Sequence, residues 1–151
     1  MKNAAKQLDN SPVAVRGSHL DPPILSFAGG RNWKLEADFW FPDAGRVITV
    51  HKGFLFDLSS VPRALWWLVA PFDLSVVAPL IHDFLYRYGG EPPPGSVEPP
   101  HAYARAEVDA VFRRIMEAEG VAAWRRVLGY AAVRVFGSWA WRRDKKDASA
   151  R

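Results

Sequence analysis

The residues best suited to chemistry are His82, Asp83 and Tyr86, in the run His82-Asp83-Phe84-Leu85-Tyr86. Apolar residues surround them at helical spacing. At about 100° per residue, Leu74, Val77, Ile81, Phe84, Leu85 and Tyr88 form a broad apolar arc, and Ser75, Pro79, His82, Asp83 and Tyr86 fall on the remaining side. His82 and Tyr86 are four apart and so stack as neighbours on that helix. A helix this apolar does not lie on the surface, so its polar stripe must face a partner or a cleft. An unpaired buried carboxylate is costly, so Asp83 requires a cation, an arginine or a strong donor.

A second predicted helix carries Val108, Val111, Phe112 and Ile115 inward, with Asp109 at the flank of that face beside Arg105 and Met116. On a neighbouring antiparallel helix, Asp109 can meet the imidazole of His82. A histidine with one ring nitrogen held by a carboxylate is oriented and made a better base. Structural alternatives stand beside this reading. His82 can be satisfied by a backbone carbonyl, Asp83 can pair with Arg87, and Asp109 can pair with Arg105 or Arg113 on its own helix.

Asp57, in Phe56-Asp57-Leu58-Ser59-Ser60-Val61-Pro62-Arg63, stands between a predicted strand and a predicted helix start. Its ordinary role there is a cap or an Asx turn. Its functional alternative is a metal-binding or substrate-orienting carboxylate facing His82, with Arg63 as counter-ion or anion clamp. No pair among His19, His51 and His101 has metal-ligand spacing.

The elements that must position these residues change character along the chain. Residues 1–20 are polar and irregular, an expected arm. Ile24–Phe27 is a short strand. Trp33–Phe41 alternates large apolar with polar residues, the period of a half-buried strand. A turn at Pro42-Asp43-Ala44-Gly45 leads into Arg46–His51, giving an antiparallel hairpin. Gly53–Phe56 adds a further strand. A helix through Ala64–Val69 follows, with Ser59 or Ser60 at its N-cap and Pro62 in its first turn. The His82 helix starts after Asp73 or Ser75 and stops at Gly89-Gly90, with Pro79 in its first turn. Residues 91–100, with five prolines, read as a mobile loop and a lid for the site. Helices over about 102–119 and 121–142 complete the pattern. The expected class is therefore α+β, a small N-terminal antiparallel sheet followed by about four helices, in one domain over 21–143 with a disordered basic tail at 144–151.

Composition narrows the class. The 151 residues contain no cysteine, which excludes disulfides and cysteine-based zinc sites. Seven tryptophans and nine phenylalanines predict an aromatic-rich core. The net charge of +4 owes much to Arg142, Arg143, Lys145, Lys146 and Arg151. Such a terminal run reads as a solvated tail, and nucleic-acid binding is not expected. The first residues lack the apolar stretch of a signal peptide, and Arg125, Arg126 and Arg134 interrupt the most apolar late segment, so a cytoplasmic protein without a transmembrane segment is expected.

Taken in order, Asp57-Leu58-Ser59-Ser60-Val61-Pro62-Arg63, His82-Asp83-Phe84-Leu85-Tyr86, Arg105-x-x-x-Asp109-x-x-Phe112 and Ala132-Val133-Arg134-x-x-Gly137-x-x-Ala140-Trp141 resemble the domain-of-unknown-function family 1353, over about residues 24–141. Its members are small proteins of tailed phages and of bacterial genomes, often prophage genes. The chain departs at Phe56, where the family has Thr, and at Ser59, where it has Ala. More locally, His-Asp-x-x-Tyr on one helix with Asp-x-x-Phe on a later one is similar to the catalytic helix pair of secreted phospholipases A2. That resemblance implies His82 as general base, Asp83 as a calcium ligand, and Asp109 and Tyr86 as the groups that orient His82. The chain lacks that family's cysteines and its glycine-rich calcium loop.

Two functions are expected on these grounds. One is a phage-derived hydrolase acting on an ester or amide of a lipid or the cell envelope. In it His82 activates water, Asp109 and Tyr86 hold the imidazole, and Asp83 with Asp57 binds a divalent cation, calcium or magnesium (Ca2+ or Mg2+). The other is a non-enzymatic phage accessory protein, in tail assembly or host interaction and associated with the virion, in which the same residues form a structural network.

Overall fold

The computed structural model describes residues 22–29, 32–57 and 76–149. Six short strands and three helices lie among them: β1 Leu25–Phe27, β2 Asn32–Leu35, β3 Phe39–Asp43, β4 Arg46–Val50, β5 Leu55–Asp57, α1 Val77–Arg87, β6 Val97–Glu98, α2 Arg105–Ala118 and α3 Ala123–Ser149. The class is α+β, as expected, but with three helices among the described residues rather than about four. The helix expected around 64–69 lies outside them, as do Arg63, His19 and the arm at 1–20.

The strands form two antiparallel sheets, β1-β2-β5 and β3-β4-β6. The single long strand expected over Trp33–Phe41 is therefore two strands in different sheets. Alternation continues across the break, since Leu35, Phe39 and Phe41 are all buried. The break has a polar cause. Asp38 accepts the Lys52 amide at 2.7 Å, while the Leu35 carbonyl accepts from Gly53 at 2.7 Å. This local pairing turns the chain out of one sheet and into the other.

The expected hairpin is present as β3–β4, with Phe41 opposite Ile48 and Asp43 opposite Arg46. Its turn is tighter than the four residues expected. Ala44 and Gly45 alone make it, both at positive φ, 47° and 80°. This is the two-residue geometry whose twist matches the flanking strands. Pro42 and Asp43 belong to β3, where the missing Pro42 N–H is tolerated because β3 is an edge strand.

The proline-rich segment is not the free loop or lid expected. Val97 pairs with Ile48, is buried, and makes β6 the other edge of the second sheet. The Ser96 carbonyl accepts the Thr49 amide at 2.8 Å. Val97 is the one large apolar residue in the segment, and burying it ties the flanking prolines to the sheet edge.

The two sheets and the helices share one core, in which Leu35, Ile48, Val50, Phe56, Leu80 and Ile115 are fully buried. α1 lies at its centre, packed on α2, α3, β4 and β5. It starts with Val76 at the N-cap and no side-chain cap, in place of the cap expected from Asp73 or Ser75. Pro79 falls in the first turn, where its missing N–H costs nothing. The helix ends as the glycine pair predicts: the Gly90 amide bonds the Leu85 carbonyl and the Gly89 amide bonds that of Tyr86, a Schellman stop. Gly90 also meets the backbone of Tyr103, whose amide bonds the Gly90 carbonyl at 2.7 Å.

α2 ends in the same way at Gly120, and α3 runs on to Ser149. Its backbone is still helical where a disordered tail was expected from 144, because no Gly or Pro follows Gly137 to stop it. No helix among the described residues is long and apolar enough to cross a membrane.

Candidate functional site

Asp109 is the hub of the site. It is fully buried on the inner face of α2, among Val108, Val111, Phe112 and Ile115. A carboxylate sealed in such a core needs donors for both oxygens. Oδ1 accepts from the Tyr86 hydroxyl at 2.6 Å and lies 3.1 Å from His82 Nε2. Oδ2 accepts from Arg134 Nη1 on α3 at 3.1 Å. Three helices thus converge on one carboxylate.

The pairing follows from helix geometry. His82 and Tyr86 are one turn apart on α1, with ring centroids 4.1 Å apart, so a single oxygen between two helices reaches both. Phe112, one turn beyond Asp109 on α2, closes the other side of the imidazole in an edge contact at 5.3 Å. Trp141 packs edge-on against Tyr86 at 4.9 Å. These ring contacts fix the rotamers from which the hydrogen bonds are made.

Charge within the network is balanced. Burial alone would raise the Asp109 carboxyl, but hydrogen bonds from His82, Tyr86 and Arg134 hold it below its ordinary value, so it is ionised. Burial lowers His82 below 6.5 more than Asp109 raises it, so the imidazole is neutral at pH 7. Burial, then Asp109, pushes the Tyr86 hydroxyl well above its usual range, which makes it a permanent donor. A carboxylate only accepts, so the proton of neutral His82 sits on Nε2 and Nδ1 carries the lone pair. The Arg134 guanidinium balances the one negative charge.

Accessibility differs sharply across the network. Asp109 exposes nothing, while the His82 side chain keeps 11% of its surface and Arg134 keeps 37%. The acid is out of reach of solvent and the imidazole is not. Such an arrangement can hold a neutral imidazole with its lone pair on Nδ1. It can equally lock three helices together.

The structure therefore brings together His82, Tyr86 and Asp109 out of the residues singled out above. Asp83 is half-buried beside His82 on α1. Asp57 ends β5, a strand that packs on α1, and its side chain lies outside the described part. Among the described residues, no group of three or more His, Asp or Glu is arranged to hold a metal ion. His51 and His101 each sit by one acid, Asp38 at 3.4 Å and Glu107 at 3.3 Å.

Two of the three arginines considered on the helices themselves, Arg87 and Arg113, are otherwise engaged. Arg87 lies over the Phe54 ring at 4.8 Å, and Arg113 faces the Tyr130 ring at 5.8 Å. The cation that meets Asp109 is Arg134, which in the sequence stands out as a break in an apolar segment and as part of the motif shared with the family, with no partner assigned to it. Its signal was there: a lone charge within Ala131–Phe136, on a helix otherwise apolar at that point, calls for a buried acid.

Comparison with known proteins adds the family and nothing more specific. No curated protein and no solved structure matches the chain significantly. The model of the family described as "Protein of unknown function (DUF1353)" matches residues 33–133, two thirds of the chain and all three of His82, Tyr86 and Asp109, and the chain belongs to that family.

Proposed function

We propose that this protein is a hydrolase in which His82 is the general base. Nδ1 takes a proton from water, and the resulting hydroxide adds to an ester or amide carbonyl. The imidazolium then returns that proton to the departing alkoxide or amine, leaving a carboxylic acid. Asp109 holds Nε2–H throughout and stabilises the transient positive charge on the ring. Tyr86 and Arg134 keep Asp109 ionised and fixed, so the carboxylate orients the base without taking its proton.

The observation that carries this reading is the shared oxygen: His82 Nε2 and the Tyr86 hydroxyl meet Asp109 Oδ1 at 3.1 and 2.6 Å, with the imidazole in reach of solvent and the carboxylate not. The local similarity to secreted phospholipases A2 supports a lipid or cell-envelope ester as substrate, and the family supports a phage or prophage setting. Calcium or magnesium held by Asp83 and Asp57 would polarise the carbonyl; the steps above do not pass through it.

The test is direct. The purified chain is assayed on aryl esters of short and long acyl chains, on anilides and on phospholipid vesicles, with and without millimolar calcium or magnesium. Turnover above the buffer rate on one of these classes is expected. Folded protein that turns over none of them removes the hydrolase reading. One observation favours a second function. The complete burial of Asp109 suits a phage accessory protein in which the network fixes α1, α2 and α3.

A further inference from the structure

Arg134, Gly137 and Trp141 are spaced three and four apart on α3 and face the same way. Arg134 bonds Asp109, and Trp141 packs on Tyr86. Gly137 lies between them, directly against the tyrosine. A Cβ placed there would stand 2.5 Å from the Tyr86 hydroxyl oxygen and 3.2 Å from Cε1 and Cζ. Tyr86 has nowhere to retreat, since its ring lies 4.1 Å from that of His82 and 4.9 Å from that of Trp141. The glycine is not there for its backbone, because it is helical, with no positive φ. A glycine inside a helix weakens it relative to alanine, so packing is the reason for this one.

We propose that Gly137 is a positioning residue for the His82–Asp109 pair: its missing side chain lets the Tyr86 hydroxyl reach Asp109 Oδ1 and so holds the carboxylate in the orientation that grips His82 Nε2. Through Gly137, Arg134 and Trp141, α3 becomes a working wall of the site. The importance of this for turnover rests on the reading of His82 as base, whereas the hydrogen bond itself does not. The charged and polar groups facing Tyr86 are Asp109 and Arg105 from α2, Arg134 from α3, and His82 on its own helix.

Proton NMR of wild type, Tyr86→Phe, Gly137→Ala and the double variant tests the proposal. A hydroxyl proton held by a buried carboxylate exchanges slowly and resonates far downfield. Wild type shows this resonance and Tyr86→Phe lacks it. Gly137→Ala is expected to lack it as well, and to shift the His82 Nε2–H resonance as Tyr86→Phe does. The double variant should match Tyr86→Phe alone. Turnover, read as kcat with KM little changed, falls at least about tenfold in each single variant and no further in the double. Retention of the hydroxyl resonance in Gly137→Ala overturns the proposal. If Gly137→Ala does not fold, the double variant should, because the nearest clashing atom is gone; a double variant that also fails to fold overturns it. Loss of the resonance in Gly137→Ala, with a wild type that hydrolyses nothing, upholds the positioning role and removes the hydrolase reading alone.

Discussion

Arg134 on the last helix donates to Asp109 on the one before it, Nη1 to Oδ2 at 3.1 Å. A partly exposed arginine side chain thereby neutralises a carboxylate that has no surface at all. The other oxygen is then free to serve α1 alone, through His82 and Tyr86. The network is complete only when all three helices are in place, so fold and site are one construction.

Asp109→Ala should destabilise the protein by about 3–5 kcal/mol, the usual range for removing one partner of a buried, hydrogen-bonded charge. The loss strands the Tyr86 hydroxyl, the His82 N–H and the Arg134 guanidinium together. Urea unfolding followed by tryptophan fluorescence measures it. A cost below about 1 kcal/mol would mean that Asp109 is not the hub of the three helices.

Stability should fall in two steps on acidification. Burial depresses His82 in the folded chain below its ordinary 6.5. As pH drops through and below 6.5, the unfolded chain takes up a proton that the folded one refuses, and the folded state loses ground. Asp109 in the folded chain is also depressed, below 3.8, so its contribution is present above that value and is lost as pH falls further. In His82→Gln the upper step should shrink while the lower remains. The melting temperature of both proteins between pH 3 and 8 decides the matter, and an unaltered upper step in the variant would assign it to another group.

A second charge pair serves as a structural control. Arg114 on α2 grips Asp43 on β3 with both nitrogens, Nε to Oδ1 at 2.7 Å and Nη2 to Oδ2 at 2.8 Å. Asp43 is buried and Arg114 half-exposed. Arg114→Met leaves a buried carboxylate partly uncompensated and should cost about 1–3 kcal/mol, less than a fully buried pair because water reaches the site. The downfield tyrosine resonance and any turnover should remain as in wild type. A loss of turnover without a loss of stability would tie this pair to the site.

Much of this was written in the chain. The alternation from Trp33 to Val50, the glycine stop after Tyr88 and the inward face of α2 each have a strong local cause, and each appears where its cause predicts. So does the meeting of His82, Tyr86 and Asp109, because helical spacing leaves one face of α1 for polar residues. What was not legible depended on distant partners. The division of Trp33–Phe41 between two sheets follows from Asp38 capping the turn at Lys52, a contact 14 residues away. Val97 enters the core only because β4 offers it an edge. Arg134 and Gly137 acquire their roles from Asp109 and Tyr86 on other helices: the local pattern around residue 134 calls for an acid but does not say which one.

On the proposed reading, His82 is a base held by the fold and not a brace that holds the fold. This is tested by comparing wild type with His82→Gln in one preparation, for melting temperature and for hydrolysis of the best ester found for the wild type. Loss of a general base lowers turnover by about 10²–10⁴-fold. A general-base His82 predicts a fall of that size with a melting temperature within a few degrees of wild type. A variant that keeps its turnover, or one that unfolds while the network of Asp109, Tyr86 and Arg134 falls apart with it, would contradict the base role and leave His82 a packing role only.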